Sequence, residues 1–204
     1  EGKQGKPRFK PPFPANYGLY GAPTTINNTQ SLASVPVIMR NGAKWFSDLG
    51  VEGSGGTGIF SVSGHVEKPG NYELPLGIPF KELLDVAVGM RGGRKLKAVI
   101  PGGSSVPVVP AEIVMGLTMD FDTLRDAKSG LGTGAMVVMD ETTCMVNMLR
   151  RISRFYFAES CGQCTPCREG TGWLYRTIHR IRTGDGRTED LDLLLNVADR
   201  IEGR

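Results

Sequence analysis

The sequence predicts an α+β chain, a sheet-bearing domain followed by an all-helical one. Three observations carry this. Between residues 57 and 140, short apolar runs alternate with Gly- and Pro-rich turns, the pattern of strands joined closely on one sheet. From Asp140 onward apolar residues recur every three or four positions, the helical period. The switch in period marks a boundary, and the second region carries three of the four cysteines as C-x-x-C-x-x-C at Cys161, Cys164 and Cys167. The implied divisions are 1–50, a strap, a loop and a helix; 51–139, the sheet domain; and 140–204, the helical domain.

The opening thirty residues are rich in Pro, Gly and Asn, as in Lys10-Pro11-Pro12-Phe13-Pro14. Proline removes donors and fixes φ, so this stretch is read as an extended linker or a strap ordered by packing. The adjacent Asn27-Asn28 suit a loop. A helix is expected from Gln30 or Pro36 to Asp48, with Pro36 in a first turn and Gly50 as the C-cap. Gly53-Ser54-Gly55-Gly56-Thr57-Gly58 resembles a phosphate cradle, but a strand pattern follows it where a dinucleotide fingerprint needs a helix. It is read as a turn.

Residues 59–74 read as a hairpin around Lys68-Pro69-Gly70-Asn71, with His65 half-exposed at the end of its first strand. Phe80, Leu83, Leu84 and Ala87 share one face of a helix that Pro79 starts. Strands follow at 97–100, 106–109 and 132–140. A hairpin, a helix and further strands on one sheet make this a β-grasp-like domain. In the helical domain Asp140-Glu141-Thr142-Thr143 suit a helix start, with Cys144 packed in the first turn as a small apolar residue. Met145, Met148, Leu149, Ile152, Phe155 and Tyr156 follow at helical spacing. A second helix is expected over 169–181 and a third over 189–201, with Leu191, Leu194, Leu195 and Ala198 inward. His179, Trp173 and Tyr175 read as surface or packing residues.

Composition bounds the function. With 40% hydrophobic and 22% charged residues the 204-residue chain is ordinary globular protein, and 28 glycines with 13 prolines imply many turns. A net charge of +3 is too small to argue for nucleic acid. No run reaches the apolar length of a membrane span, and no signal-peptide pattern is present. Few, clustered cysteines fit a reducing compartment. A chain starting at Glu1 and ending just after a helical pattern reads as a piece of something longer.

Three thiolates at this spacing can each reach a different iron of one cubane, the arrangement of ferredoxin-type ligand runs, with a fourth ligand from a distance. Two other chemistries use such spacing. Structural zinc normally pairs two knuckles or adds histidines, and the chain has only His65 and His179. A dithiol redox motif uses two cysteines, not three.

Glu159-Ser160-Cys161-Gly162-Gln163-Cys164-Thr165-Pro166-Cys167-Arg168-Glu169-Gly170 followed by Trp173 closely resembles the NADH-binding flavoprotein subunit of respiratory complex I, also called the 51 kDa or F subunit of NADH:quinone oxidoreductase. Related modules serve NAD-reducing hydrogenases and formate dehydrogenases. The resemblance extends across the chain, as the C-terminal two-thirds of such a protein, and Asp140-Glu141-Thr142-Thr143-Cys144 is similar to the bacterial members. It implies that residues 57–110 match the family's soluble-ligand-binding β-grasp domain. It implies a [4Fe–4S] cluster on Cys161, Cys164 and Cys167, reduced by FMN that has taken a hydride from NADH, with electrons passing on to quinone. Asn27 and Asn28 match the loop that contacts FMN. The flavin and NADH glycine-rich loops are expected before Glu1, and a fourth cysteine ligand beyond Arg204. Implied partners are the 24 kDa-type [2Fe–2S] subunit and the large iron–sulfur subunit, on the cytoplasmic side of the bacterial inner membrane. The contrasting expectation is a subunit-docking module without activity.

Overall fold

The computed structural model describes residues 5–203. They form two compact units: one of 27–143, the other joining 5–26 to 144–203.

The first unit opens with two helices. Asn28 Oδ1 accepts from the N–H groups of Gln30 and Ser31 at 2.8 and 3.2 Å and so caps α1 (Thr29–Asn41). Pro36 therefore lies inside α1 and not in a first turn. An Asn that captures two orphan donors is a stronger start signal than a proline, which merely tolerates the position. The helical stretch does not run unbroken to Asp48. Gly42, at φ 91°, separates α1 from α2 (Ala43–Ser47), whose C-cap is Asp48 and not Gly50.

Among the described residues five strands make one mixed sheet. They are β1 (Thr57–Gly64), β2 (Gly70–Pro75), β3 (Leu96–Ile100), β4 (Val109–Pro110) and β5 (Ala135–Asp140), in the order β2-β1-β5-β3-β4. The predicted hairpin is present, with Phe60 opposite Tyr72. β5 lies between β1, which it pairs in parallel, and β3, which it pairs antiparallel. Gly64 permits this: a Cβ there would collide with the carbonyl oxygen of Val138, and its φ is 91°. The extended piece expected at 106–109 contributes only Val109–Pro110 to the sheet.

One sheet face is covered by α3 (Phe80–Val86) and two short helices that the sequence pattern did not indicate, α4 (Ala111–Val114) and α5 (Phe121–Asp126). Asp120 caps α5 through Thr123 N–H at 2.8 Å. Phe60, Phe80, Leu83, Met119, Leu124 and Met136 are essentially removed from solvent and belong to one continuous cluster. The predicted α3 face is the buried one, Ala87 included.

The second unit contains α6 (Met145–Glu159), α7 (Thr165–Thr183) and α8 (Glu189–Glu202), with α7 packed on both others. Residues 13–24 are not an open linker. Thr24 N–H donates to the Pro14 carbonyl and Gly18 N–H to that of Ala22, closing a compact loop. On α8 the inward positions are Asp190, Leu194, Val197 and Ile201, whereas Leu191, Leu195 and Ala198 face outward. The stripe is displaced because Asp190 turns inward to meet Arg180. Its carboxylate takes the Nε of Arg180 at 3.1 Å, the Nη2 of Arg180, and the N–H of Arg187 at 2.9 Å. Among the described residues no helix is long and apolar enough to cross a membrane.

Candidate metal centre

The three cysteines occupy the turn from α6 into α7. Ser160 is the C-cap of α6, at φ −56° and ψ 127°, and Gly162 turns the chain at φ 74°. Cys164 is the N-cap of α7, and Cys167 lies in the first turn of that helix. The helix thus begins at Thr165, earlier than the expected 169. Pro166 fits its first turn, where no N–H is needed. All three cysteines are free thiols; Cys161 and Cys164 are exposed and Cys167 is half-buried.

Arg168 holds the turn. Its Nη1 donates to the Gly162 carbonyl at 3.0 Å, its Nη2 reaches Thr165 Oγ1 at 3.4 Å, and its N–H donates to the Cys164 carbonyl at 2.8 Å. Gly162 N–H donates to Ser160 Oγ at 3.3 Å, and Ser160 Oγ lies 3.6 Å from Cys167 Sγ. One turn further, Gly170 and Gly172 let α7 approach its neighbours. A Cβ on Gly170 would meet Ile201 of α8 at 3.0 Å, and one on Gly172 would meet the Phe157 ring of α6 at 2.8 Å.

Among the described residues no three His, Cys, Asp or Glu side chains converge tightly enough to hold a metal ion. The donor set nevertheless suits an iron–sulfur cluster by its chemistry. It offers three unpaired thiols on a turn clamped through backbone groups, beside the N-terminus of a long helix whose dipole favours negative charge.

Cys144 is not packed in the helix. It is the exposed N-cap of α6, because Asp140 Oδ1 takes the Thr142 N–H and ends the strand with its own turn. Asn27 and Asn28 belong to the other unit, where Asn27 is exposed and Asn28 lines an open groove of about 800 Å³ with Gln30, Trp45, Phe46, Thr57 and Glu73.

His65 lies one residue beyond β1, and it has partners. Its Nδ1 accepts from Asp140 N–H at 3.1 Å and lies 3.2 Å from Asp140 Oδ1, while Arg94 Nη1 meets Asp140 Oδ2 at 3.0 Å. The Thr142 hydroxyl hydrogen bond, then Arg94 and the Thr142 N–H, hold the buried Asp140 carboxyl well below the usual range against its desolvation. This network was not legible, since its members are 46 and 75 residues apart and meet only because β5 pairs with both β3, next to Arg94, and β1, next to His65. Ser160 and Arg168 were also missed as site residues. The signal was a hydroxyl at a helix end beside the first cysteine, but only the fold brings Cys167 back to it.

The helical unit bearing the cysteine run and the mixed sheet each match a known family. Residues 147–204 match the family described as the NADH-ubiquinone oxidoreductase-F iron-sulfur binding region, and residues 59–138 match an SLBB domain. More narrowly, the chain is homologous over its whole length to the F subunit of NADH-quinone oxidoreductase. It is 55% identical to that of Rickettsia bellii (strain OSU 85-389) and 56% identical to that of Rickettsia massiliae (strain Mtu5), with 100% of the chain aligned in each. It spans about half the length of these curated relatives, 49% and 48%, and not the two-thirds expected. A crystal structure of NAD+-reducing [NiFe]-hydrogenase in the H2-reduced state is similar at 34% identity and a TM-score of 0.81, over 94% of this chain and 32% of that one.

Proposed function

We propose that this chain is part of an NADH-oxidising flavoprotein subunit, in which Cys161, Cys164 and Cys167 supply three ligands to a [4Fe–4S] cluster that accepts electrons from reduced FMN for transfer to quinone. The observation that carries this is the set of three free thiols on one Arg168-clamped turn, in a chain homologous throughout to the F subunit of NADH-quinone oxidoreductase. When bound, such a cluster supplies one-electron carriage between a two-electron flavin donor and later acceptors.

The chain's own residues have separable tasks. The cysteines bind as thiolates, with a fourth ligand from outside their run. Arg168 fixes the turn through Gly162 and Thr165. Gly170 and Gly172 bring α6 and α8 against α7, walls that limit water beside the ligands. On the sheet unit, read here as β-grasp-like, Asn28 Oδ1 is committed to its helix cap, so contact with a flavin phosphate falls to its amide nitrogen and to Asn27. Partners are the 24 kDa-type [2Fe–2S] and large iron–sulfur subunits, in a peripheral assembly on the cytoplasmic face of the bacterial inner membrane.

A second reading, the diaphorase subunit of an NAD-reducing hydrogenase, is favoured by the likeness to the hydrogenase structure. The two differ in what copurifies: quinone reductase subunits or a nickel–iron subunit.

The test is anaerobic reconstitution of the complete protein with iron and sulfide, read by metal content and low-temperature EPR. Iron and sulfide in cubane proportion are expected, with a reduced [4Fe–4S] signal lost in each of Cys161→Ser, Cys164→Ser and Cys167→Ser. A site that takes zinc stoichiometrically and never iron overturns the reading.

A further inference from the structure

We infer that Ser160 tunes the reduction potential of the cluster by donating its hydroxyl hydrogen to Cys167 Sγ; the inference rests on the proposed cluster reading and assigns a role to a residue that is not itself a ligand.

The geometry starts from where α6 stops. Ser160 leaves helical conformation, and Gly162 reverses the chain with a left-handed φ. The first turn of α7 then brings Cys167 Sγ to 3.6 Å from Ser160 Oγ, a hydrogen-bond distance for sulfur. Between a neutral thiol and a hydroxyl either atom could donate. A ligating cysteine has lost its proton, so a thiolate at Cys167 can only accept, and the hydroxyl must be the donor. Gly162 N–H meanwhile donates into Ser160 Oγ at 3.3 Å. That bond occupies a lone pair of the oxygen and polarises the O–H toward the sulfur.

Cys167 is the ligand at which such a bond counts most. It is half-buried, as is Ser160, whereas Cys161 and Cys164 are exposed and open to water. A hydrogen bond to a ligand sulfur stabilises the more negative, reduced cluster more than the oxidised one, and raises the potential. The turn does not depend on Ser160 alone, because Arg168 also holds Gly162 through its carbonyl. Removing the hydroxyl therefore removes a donor without releasing the turn.

The experiment is an EPR-monitored redox titration of the reconstituted complete protein, with iron and sulfide measured on each sample. Ser160→Ala is expected to keep its iron and titrate at a lower midpoint potential. Ser160→Thr, which retains the hydroxyl, should titrate close to the unsubstituted protein. In the unsubstituted protein, electron–nuclear double resonance in H2O and D2O should reveal an exchangeable proton coupled to the reduced cluster. An unchanged midpoint in Ser160→Ala with full iron overturns the inference and leaves the cluster reading standing. So does the absence of an exchangeable proton, or loss of iron in Ser160→Ala, which would make Ser160 an assembly residue. Unsubstituted protein that takes up no iron overturns the cluster reading, and this inference with it.

Discussion

The two units bury different things. The sheet unit encloses large apolar side chains, with Phe60 1% exposed and Phe80 and Leu83 fully covered. In the helical unit the buried positions are mostly small or polar: Gly18, Ser153, Gly170, Thr171, Gly172, Thr177 and Asp190, with Ile178 and Val197 the apolar exceptions. Its large side chains lie toward solvent, Trp173 at 53% and Leu195 at 66% exposure. One unit is held by apolar area removed from water. The other is held by close helix approach at glycines and by the ion pair of buried Asp190 with half-exposed Arg180, with little hydrophobic core of its own. Metal binding to a site that folding must assemble adds to folding free energy. The contrast therefore makes physical sense of a ligand-bearing unit: under the proposed function, the cluster adds stability that the helical core lacks.

The largest expected effect breaks the comparison from the sheet side. Phe80→Ala opens a cavity under α3 and should cost about 3–5 kcal/mol. Trp173→Ala in the helical unit should cost about 1 kcal/mol, because half of its surface is already wet. Urea unfolding separates the two: fluorescence of Trp45 in the sheet unit reads the first, and helical circular dichroism, to which α6, α7 and α8 contribute most, reads the second. With Trp173→Phe as background, Trp45 reports the Phe80→Ala loss. Equal costs at the two positions would mean that the units do not differ in how they are held.

Acid sharpens the comparison next. Each unit contains a buried carboxylate held ionised: Asp140 chiefly by Thr142 and then Arg94, and Asp190 by Arg180 and the Arg187 N–H. A depressed carboxyl contributes stability that is complete above its ordinary value of 3.8 and fades as pH falls through the lower folded value. Both units should be unaffected between pH 7 and 5 by these groups and weaken below pH 3.8. The helical unit, with less apolar core to fall back on, should unfold first. Trp173 emission in a Trp45→Phe background is the readout, and Asp190→Asn should lower the midpoint at pH 7 while flattening its dependence on acid. A helical transition as acid-dependent in Asp190→Asn as before would remove Asp190 from the account.

Legibility in the sequence follows the same divide. Where apolar periodicity and burial coincide, as on α3, the sequence names the buried face residue by residue. On α8 it does not, because a charged residue occupies the inward position and pairs with Arg180 on another helix. α7 was placed too short because Cys164, Thr165 and Pro166 carry no apolar period, although proline in a first turn is itself a start signal. The cysteine run was legible from spacing alone. Its neighbours Ser160 and Arg168 were not, since their contacts depend on how the chain turns back between helices. The Asp140 network was hidden for a stronger reason: strand pairing decides which distant residues meet, and periodicity says nothing of partners.

The smallest expected effect falls at the start of the sheet unit, where an expected cofactor residue has a structural task. Asn28→Ala removes the acceptor for two N–H groups of α1 and should cost about 1 kcal/mol. Asn28→Asp and Asn28→Ser keep a capping oxygen and should restore most of this, measured through Trp45 of the neighbouring α2. The same three variants separate capping from flavin contact. Asp and Ser lack the amide donor, so in the complete protein they should retain the helix yet bind FMN less tightly if Asn28 Nδ2 faces the phosphate. If FMN affinity follows stability, with Ala weak and Asp and Ser normal, Asn28 acts on the flavin only by holding α1 in place, and Asn27 is left as the direct contact.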